Sequence, residues 1–194
     1  MTLDLSQCDD HELSSLAVAG QAQAFRELMR RHKDPVYRLI RNNVGDPNEA
    51  LDLLQESFVS AFGAIRRYDP DRPFRHWIAR IALNKCRDWA RRRAVRSFFS
   101  LARPIERDED FGSDAPGPAR EAESRAELLR VEREIAKLPQ PLREVLILRT
   151  IEEASQAETA AILGISEKAV ETRLYRARGQ LKAQLAAEPV SGRP

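Results

Sequence analysis

The residues best equipped for chemistry in this chain are basic, and they fall on two helical strips. From about Phe74 to Arg93, a helical period gathers Phe74, Trp77, Ile78, Ile81 and Trp89 on one broad face. Arg80, Asn84, Arg87 and Arg91 gather on the other. Guanidinium groups hold phosphates, so this face is a basic strip, and it carries a single amide. The second strip lies towards the C-terminus. There Lys168, Thr172, Tyr175 and Arg176 point away from the apolar positions Val170, Leu174, Ala177 and Leu181, with Arg173 on the flank. Side chains of this kind on one helix suit a groove lined by phosphates and base edges.

Other chemistries find little support. Cys8 and Cys86 form no C-x-x-C pair, and His11, His32 and His76 are scattered, so no metal site is expected. The 8 glycines form neither a G-x-G-x-x-G run nor a Walker loop, so no nucleotide cofactor is expected either. Local spacing supplies no acid–base pair, and the chain does not read as an enzyme.

Charge distribution sharpens the reading. The chain has 194 residues with a net charge of only +2. Residues 66–107 nevertheless carry 13 basic and 4 acidic side chains, and residues 161–194 carry 6 and 3. Between them, residues 108–160 carry 7 basic and 13 acidic side chains. Two basic segments separated by an acidic one are the footprint of a protein that touches nucleic acid at two places. No apolar run approaches the roughly 18 residues that span a bilayer. Met1-Thr2-Leu3-Asp4 lacks the basic start of a signal peptide, so a cytoplasmic protein with no membrane insertion is expected.

Helices must position the two strips. A first is expected from about Asp9 to Ala19, and a second from about Gln21 to Val44, kinked or split near Asp34 by Pro35. A third opens at Asp46-Pro47-Asn48-Glu49 and carries Leu51, Leu54, Phe58, Phe62 and Ile65 as one apolar stripe. Asp69-Pro70-Asp71-Arg72-Pro73 is a turn cluster ahead of the first basic helix. From about Ser97 to Arg120 the helical period disappears into a Pro-, Gly- and Asp-containing linker. The fold class expected is all-α: two small helical domains at residues 1–96 and 121–187, a linker at 97–120, and a disordered tail at 188–194.

The tightest local signal lies in the second domain. Ser155-Gln156-Ala157-Glu158 has the capping-box form and opens a short helix through Leu163. Gly164 supplies a turn, Ile165 packs, and Ser166 caps the helix that carries the second basic strip. Ala160, Gly164 and Val170 stand where a helix-turn-helix needs a small, a turning and a β-branched residue.

Taken together, four segments resemble the extracytoplasmic-function (group IV) sigma factors, promoter-recognition subunits of bacterial RNA polymerase in the sigma-70 family. They are Asp52-Leu53-Leu54-Gln55-Glu56-Ser57-Phe58, Asp71 through Ile78, Ile81-Ala82-Leu83-Asn84, and Ser166 through Arg178. The resemblance implies that Asp52, Gln55 and Glu56 dock on the clamp helices of the polymerase largest subunit, with the flap as a further polymerase contact. It implies that Tyr68, His76, Arg80, Asn84, Arg87 and Arg91 serve the −10 promoter element, with Asn84 holding a flipped base. Lys168, Glu171, Thr172, Arg173, Tyr175 and Arg176 would read the −35 element. Glu171 departs from the basic or small polar residue many relatives carry, and would accept from a cytosine amino group or point out of the groove. The resemblance further implies a monomer controlled by an anti-sigma factor. A helix-turn-helix repressor is the rival reading, but no heptads or apolar dimer helix accompany it.

Overall fold

The computed structural model describes residues 4–100 and 119–187, with side chains over 4–96 and 126–187. Of the expected linker, residues 97–100 continue a helix and 119–120 open the next, contrary to the expected boundaries, and 101–118 fall outside these residues, as does the expected tail. Every regular element among them is helical: α1 (Asp10–Val18), α2 (Ala22–Val44), α3 (Pro47–Ala64), a 3-10 turn (Ile65–Arg67) and α4 (Phe74–Ser100). After the linker come α5 (Ala119–Lys137), α6 (Gln140–Thr150), α7 (Gln156–Leu163) and α8 (Glu167–Ala187).

Local chemistry explains the starts and stops. Asp9 and Glu12 form a reciprocal capping box on α1. Asp46 accepts from the amides of Asn48 (2.8 Å) and Glu49 (3.1 Å) at the start of α3, with Pro47 in its first turn. α2 ends on Gly45 at φ 83°, a conformation that costs glycine little. Of the two outcomes expected at Pro35, a kink or a split, the split does not occur: α2 runs unbroken for 23 residues. Both halves are pinned by burial, Phe25 and Leu28 before the proline and Val36, Leu39 and Ile40 after it, and this offsets the hydrogen bond the proline removes.

The helices α1–α4 enclose one apolar core, with Leu13, Leu28, Ile40, Leu53, Phe74 and Ile78 almost fully buried. α3 departs from its expected stripe. Its buried side is Ala50, Leu53, Ser57, Phe58 and Ala61, while Leu51 and Phe62 are 53% and 52% exposed. Small residues at 50, 57 and 61 let α3 approach its neighbours closely, which turns the larger side chains outward.

Phe74 holds the turn to the bundle. Its ring lies 5.7 Å from Tyr68, 5.6 Å from Trp77 and 6.4 Å edge-on from Phe25. Tyr68 is buried, and its hydroxyl donates to the Arg72 carbonyl. The aromatic cluster thus fixes where α4 begins.

The second group of helices docks on the first. Leu39 of α2 and Ala79 and Leu83 of α4 belong to the same apolar cluster as Leu138, Val145, Leu146, Ile162, Leu163 and Val170. Within the second group, Ser155 and Glu158 form the expected capping box and Gly164 takes φ 67° at the end of α7. The Ser166 hydroxyl accepts from the Ala169 amide at 3.2 Å and so starts α8.

Because Phe74 anchors both the turn and the start of α4, Phe74→Ala is expected to destabilise the protein by about 3–5 kcal/mol. Urea unfolding followed by circular dichroism checks this, through a lowered midpoint at unchanged slope.

Candidate nucleic-acid and partner interfaces

On α3 the helical period lines up Leu51, Gln55, Val59 and Phe62, with Asp52 and Glu56 along their flank. Asp52, Gln55 and Glu56 are all exposed. Glu56 meets Lys85 at 3.6 Å in a solvent-facing pair. Val59 is 66% exposed, and Phe62 rests one edge on Phe25 with its ring centroid 5.2 Å away. Large apolar side chains beside carboxylates form a surface suited to a partner helix that carries both apolar and basic groups. Sequence reasoning found the polar half of this face, assigned Leu51 and Phe62 to the core, and passed over Val59. The signal it passed over is that α3 holds more apolar residues than one stripe can bury.

α4 carries the first basic strip. Arg80, Asn84 and Arg91 are exposed, and His76 and Arg87 half-buried. Asn84 accepts through its side-chain oxygen from Arg87 Nη1 at 2.9 Å, and its amide NH2 group donates to no acceptor among the described residues. Arg91 pairs with Asp88 one turn earlier. His76 is held below the usual imidazole pKa, chiefly by burial and then by the neighbouring Arg75, against the attraction of Glu158 at 3.6 Å. Tyr68 is set apart from this strip: it lies in the core, since its ring is needed in the aromatic cluster and its hydroxyl is already engaged.

The strip is less isolated than helical period alone suggests. Besides Phe74, Ile78, Ala82 and Cys86, α4 buries Ala79 and Leu83 on a second side, against α6 and α7. Arg87 makes a two-pronged ion pair with Glu144 of α6, through Nε at 2.8 Å and Nη2 at 2.6 Å. Arg75 pairs with Glu158 of α7. Arg143 of α6 donates to the Asn43 carbonyl at 2.6 Å.

On α8 the second strip faces outward. Tyr175 is 82% exposed, and Lys168, Glu171, Thr172 and Arg176 are exposed with Arg173 half-buried beside them. Glu171 does not stand alone: Lys168 Nζ lies 2.8 Å from its carboxylate, so the acidic departure is neutralised within the strip. Thr172 donates its hydroxyl to the Lys168 carbonyl at 2.9 Å, one turn back. A shallow groove along this face is also lined by Gln156 and Arg178, which were not among the expected contact residues. Gln156 stands at the first position of α7, where it reaches the Glu167 carbonyl at 3.2 Å and bridges the two helices of the motif.

Among the described residues no group of three or more His, Cys, Asp or Glu could hold a metal ion, and no helix is long and apolar enough to cross a membrane. Cys86 is buried, and burial pushes its thiol up to about 12. Cys8, partly buried near Glu12, is also raised.

The chain matches the family description Sigma-70 region 2 over residues 28–96 and Sigma-70 region 4 over residues 128–181. It is 41% identical to the RNA polymerase sigma factor CnrH of Cupriavidus metallidurans, over 92% of this chain and 95% of CnrH. It belongs to the extracytoplasmic-function group of the sigma-70 family. The RNA polymerase sigma factor NccH of Alcaligenes xylosoxydans is 38% identical over 93% of this chain and 97% of its own length. Among solved structures, that of CnrH in complex with the cytosolic domain of CnrY matches with a TM-score of 0.69 at 36% identity. It covers 93% of this chain and 99% of that one. Region 2 of this sigma factor thus spans α4 and its basic strip, and region 4 holds the helix-turn-helix of α7 and α8.

The burial of Cys86 sets an expected outcome for thiol titration. With an aromatic disulfide reagent at pH 8, the native protein should release one equivalent from Cys8, and both cysteines should react only in denaturant. Fast reaction of two thiols in the native protein would contradict the packing of α4.

Proposed function

We propose that this sigma factor binds core RNA polymerase through the outward face of α3, opens and holds the −10 element with α4, and reads the −35 element with α8. Likeness to a named sigma factor over 92% of the chain, with a basic strip inside each matched region, is the observation that carries this reading. Asp52, Gln55 and Glu56 supply polar contacts to the clamp helices of the largest subunit, and Leu51, Val59 and Phe62 supply apolar area beside them. The flap is the further polymerase contact, on region 4. On α4, Asn84 pairs with a base once it is flipped, while Arg80, Arg87 and Arg91 hold the flanking backbone and His76 sits at the edge of the strip. Tyr68 acts indirectly, by fixing the turn that aims α4.

Melting needs no chemical step. Capture of the flipped base stabilises the open strand, and polymerase contacts hold both regions in register on the promoter. Two weak DNA contacts joined through one polymerase gain from tethering, so each can remain modest in charge. The working division is residues 1–96 for polymerase and −10 contacts, 97–120 as linker, 121–187 for the −35 element and 188–194 as tail. The protein acts in the cytoplasm as a monomer without catalysis of its own. An anti-sigma factor controls it; the solved CnrH structure, a complex with the cytosolic domain of CnrY, supports this.

On α8, Tyr175, Arg173 and Arg176 are free to enter the major groove. Glu171 and Lys168, paired in the free protein, separate so that the carboxylate accepts from a cytosine amino group and the ammonium meets a phosphate.

Run-off transcription with purified core polymerase and a pool of genomic promoter fragments tests the whole reading. Factor-dependent transcripts are expected; a protein that binds no core polymerase yet shifts a palindromic duplex on its own would restore the repressor reading. Asn84→Ala should lose open complex while still binding core polymerase. Asp52→Lys should lose core binding and leave duplex binding by α8 intact. Glu171→Ala should relax selection at a single −35 base pair by about 1–3 kcal/mol, read from promoter-variant competition.

A further inference from the structure

The turn that starts α4 makes few bonds of its own. Residues 69–73 include Pro70 and Pro73, which donate no amide. The amides of Asp71 and Arg72 both end on Asp69, at 3.2 Å on its carboxylate and 3.1 Å on its carbonyl. What fixes the turn against the bundle comes from outside it. The Pro70 carbonyl lies 2.9 Å from Nδ1 of His11 on α1. A carbonyl can only accept, so this ring nitrogen carries the proton and donates. The Arg72 carbonyl accepts from the Tyr68 hydroxyl, and Ser14 of α1 lies beside that hydroxyl. α1 therefore grips the turn at two carbonyls, directly at Pro70 and through Tyr68 at Arg72.

α1 is itself tied to α2. Asp10 accepts from His32 Nε2 at 2.6 Å and from Arg31 Nη1 at 3.3 Å. Arg31 Nη2 also donates to the Ser6 carbonyl at 2.9 Å, ahead of the capping box on Asp9 and Glu12. The His32 ring lies 5.2 Å from that of Phe74, so the anchor of α1 packs on the residue that begins α4. Successive side chains on a helix stand about 100° apart. With Asp10 turned to α2, His11 is carried round to the turn. α1 lies wholly ahead of residue 28, where the region 2 match begins, so that match gives it no task.

We infer that His11 is a positioning residue for promoter opening: from α1 it holds the turn at residues 69–73, and with it the first turn of α4, at the angle that presents Asn84 and its flanking arginines to the −10 strand. The inference rests on the reading of α4 as the −10 face. α4 depends on the turn directly, since the Pro73 carbonyl accepts from the amides of His76 at 3.0 Å and Trp77 at 3.4 Å. Capture of a flipped base needs its partners closely placed, and a small misplacement is costly in rate. His11 is exposed, so its hydrogen bond adds little to stability; what it fixes is the place of the turn. Asp10 has the complementary task of fixing the helix from which His11 reaches.

His11→Ala removes the donor, and His11→Asn restores one, because the asparagine amide nitrogen stands close to the place of Nδ1. Both are compared with wild type in complexes with core polymerase on a promoter found by run-off transcription. Permanganate reactivity of the −10 thymines reads opening, and titration with labelled core polymerase reads binding. Hydrogen–deuterium exchange of the free protein reads the amides of Asp71 and Arg72. His11→Ala is expected to open the promoter about tenfold more slowly while binding core polymerase like wild type. Its turn amides should exchange faster, and its melting temperature should fall by no more than about 4 °C. His11→Asn should recover most of the opening rate. Opening, core binding and melting temperature that fall together would mark a merely structural role and overturn the inference. So would wild-type opening by His11→Ala, unchanged exchange in the turn, or an asparagine variant as slow as the alanine one. Asn84→Ala, run alongside, separates the two readings: normal opening there places the fault in α4 as the −10 face. A defective Asn84→Ala beside a normal His11→Ala places it in the positioning role alone.

Discussion

α4 is a helix buried on two sides, and the rest of the structure follows from that constraint. Phe74, Ile78, Ala82 and Cys86 commit one side to the α1–α3 bundle, and Ala79 and Leu83 commit another to α6 and α7. The perimeter that remains is narrow. His76 and Arg87 fall at its margin, half in the seam, and Arg80 reaches over Gly164 between α7 and α8, while Asn84 and Arg91 remain outside. At the edge of this seam guanidinium groups meet carboxylates, Glu144 of α6 and Glu158 of α7, of which Glu144 is almost fully buried and is satisfied by Arg87. Glu158 serves twice, since its other oxygen closes the capping box on the Ser155 amide at 2.7 Å. The helix-turn-helix and the seam are therefore secured by one side chain.

The parts of the fold that were legible in the sequence are those decided by neighbours in the chain. The Ser155–Glu158 box, the left-handed Gly164 and the Ser166 cap all lie where their spacing predicts, as does the turn before Phe74. α3 was misread because periodicity reports which residues share a face but does not say which face is inside. Leu51 and Phe62 fit an apolar stripe, yet the small residues Ala50, Ser57 and Ala61 decide the closest approach. Tyr68 was placed among the DNA contacts because it borders the turn, whereas its ring completes a cluster with Phe74 and Trp77. Pro35 failed to split α2 because burial on both sides outweighed a local preference.

The seam itself left no trace in a reading of local patterns. Glu144 lies within the acidic stretch 108–160, where one carboxylate looks like any other, and only the fold brings it against Arg87, 57 residues earlier. The complementarity is visible in hindsight in the charge distribution, since the most basic segment of the chain is followed by the most acidic. That alternation first suggested two DNA contacts separated by a spacer; it also allows the two halves to hold each other. The Lys168–Glu171 pair on α8 is a smaller case of the same economy, with a carboxylate balancing an exposed cation one turn away.

Hydrogen–deuterium exchange on the free protein, on its complex with core polymerase, and on the promoter complex tests this account most directly. It predicts that core polymerase slows exchange along the outward turns of α3, and that promoter binding slows it in α4. Unchanged exchange in α3 on adding core polymerase, or in α4 on the promoter, would contradict it.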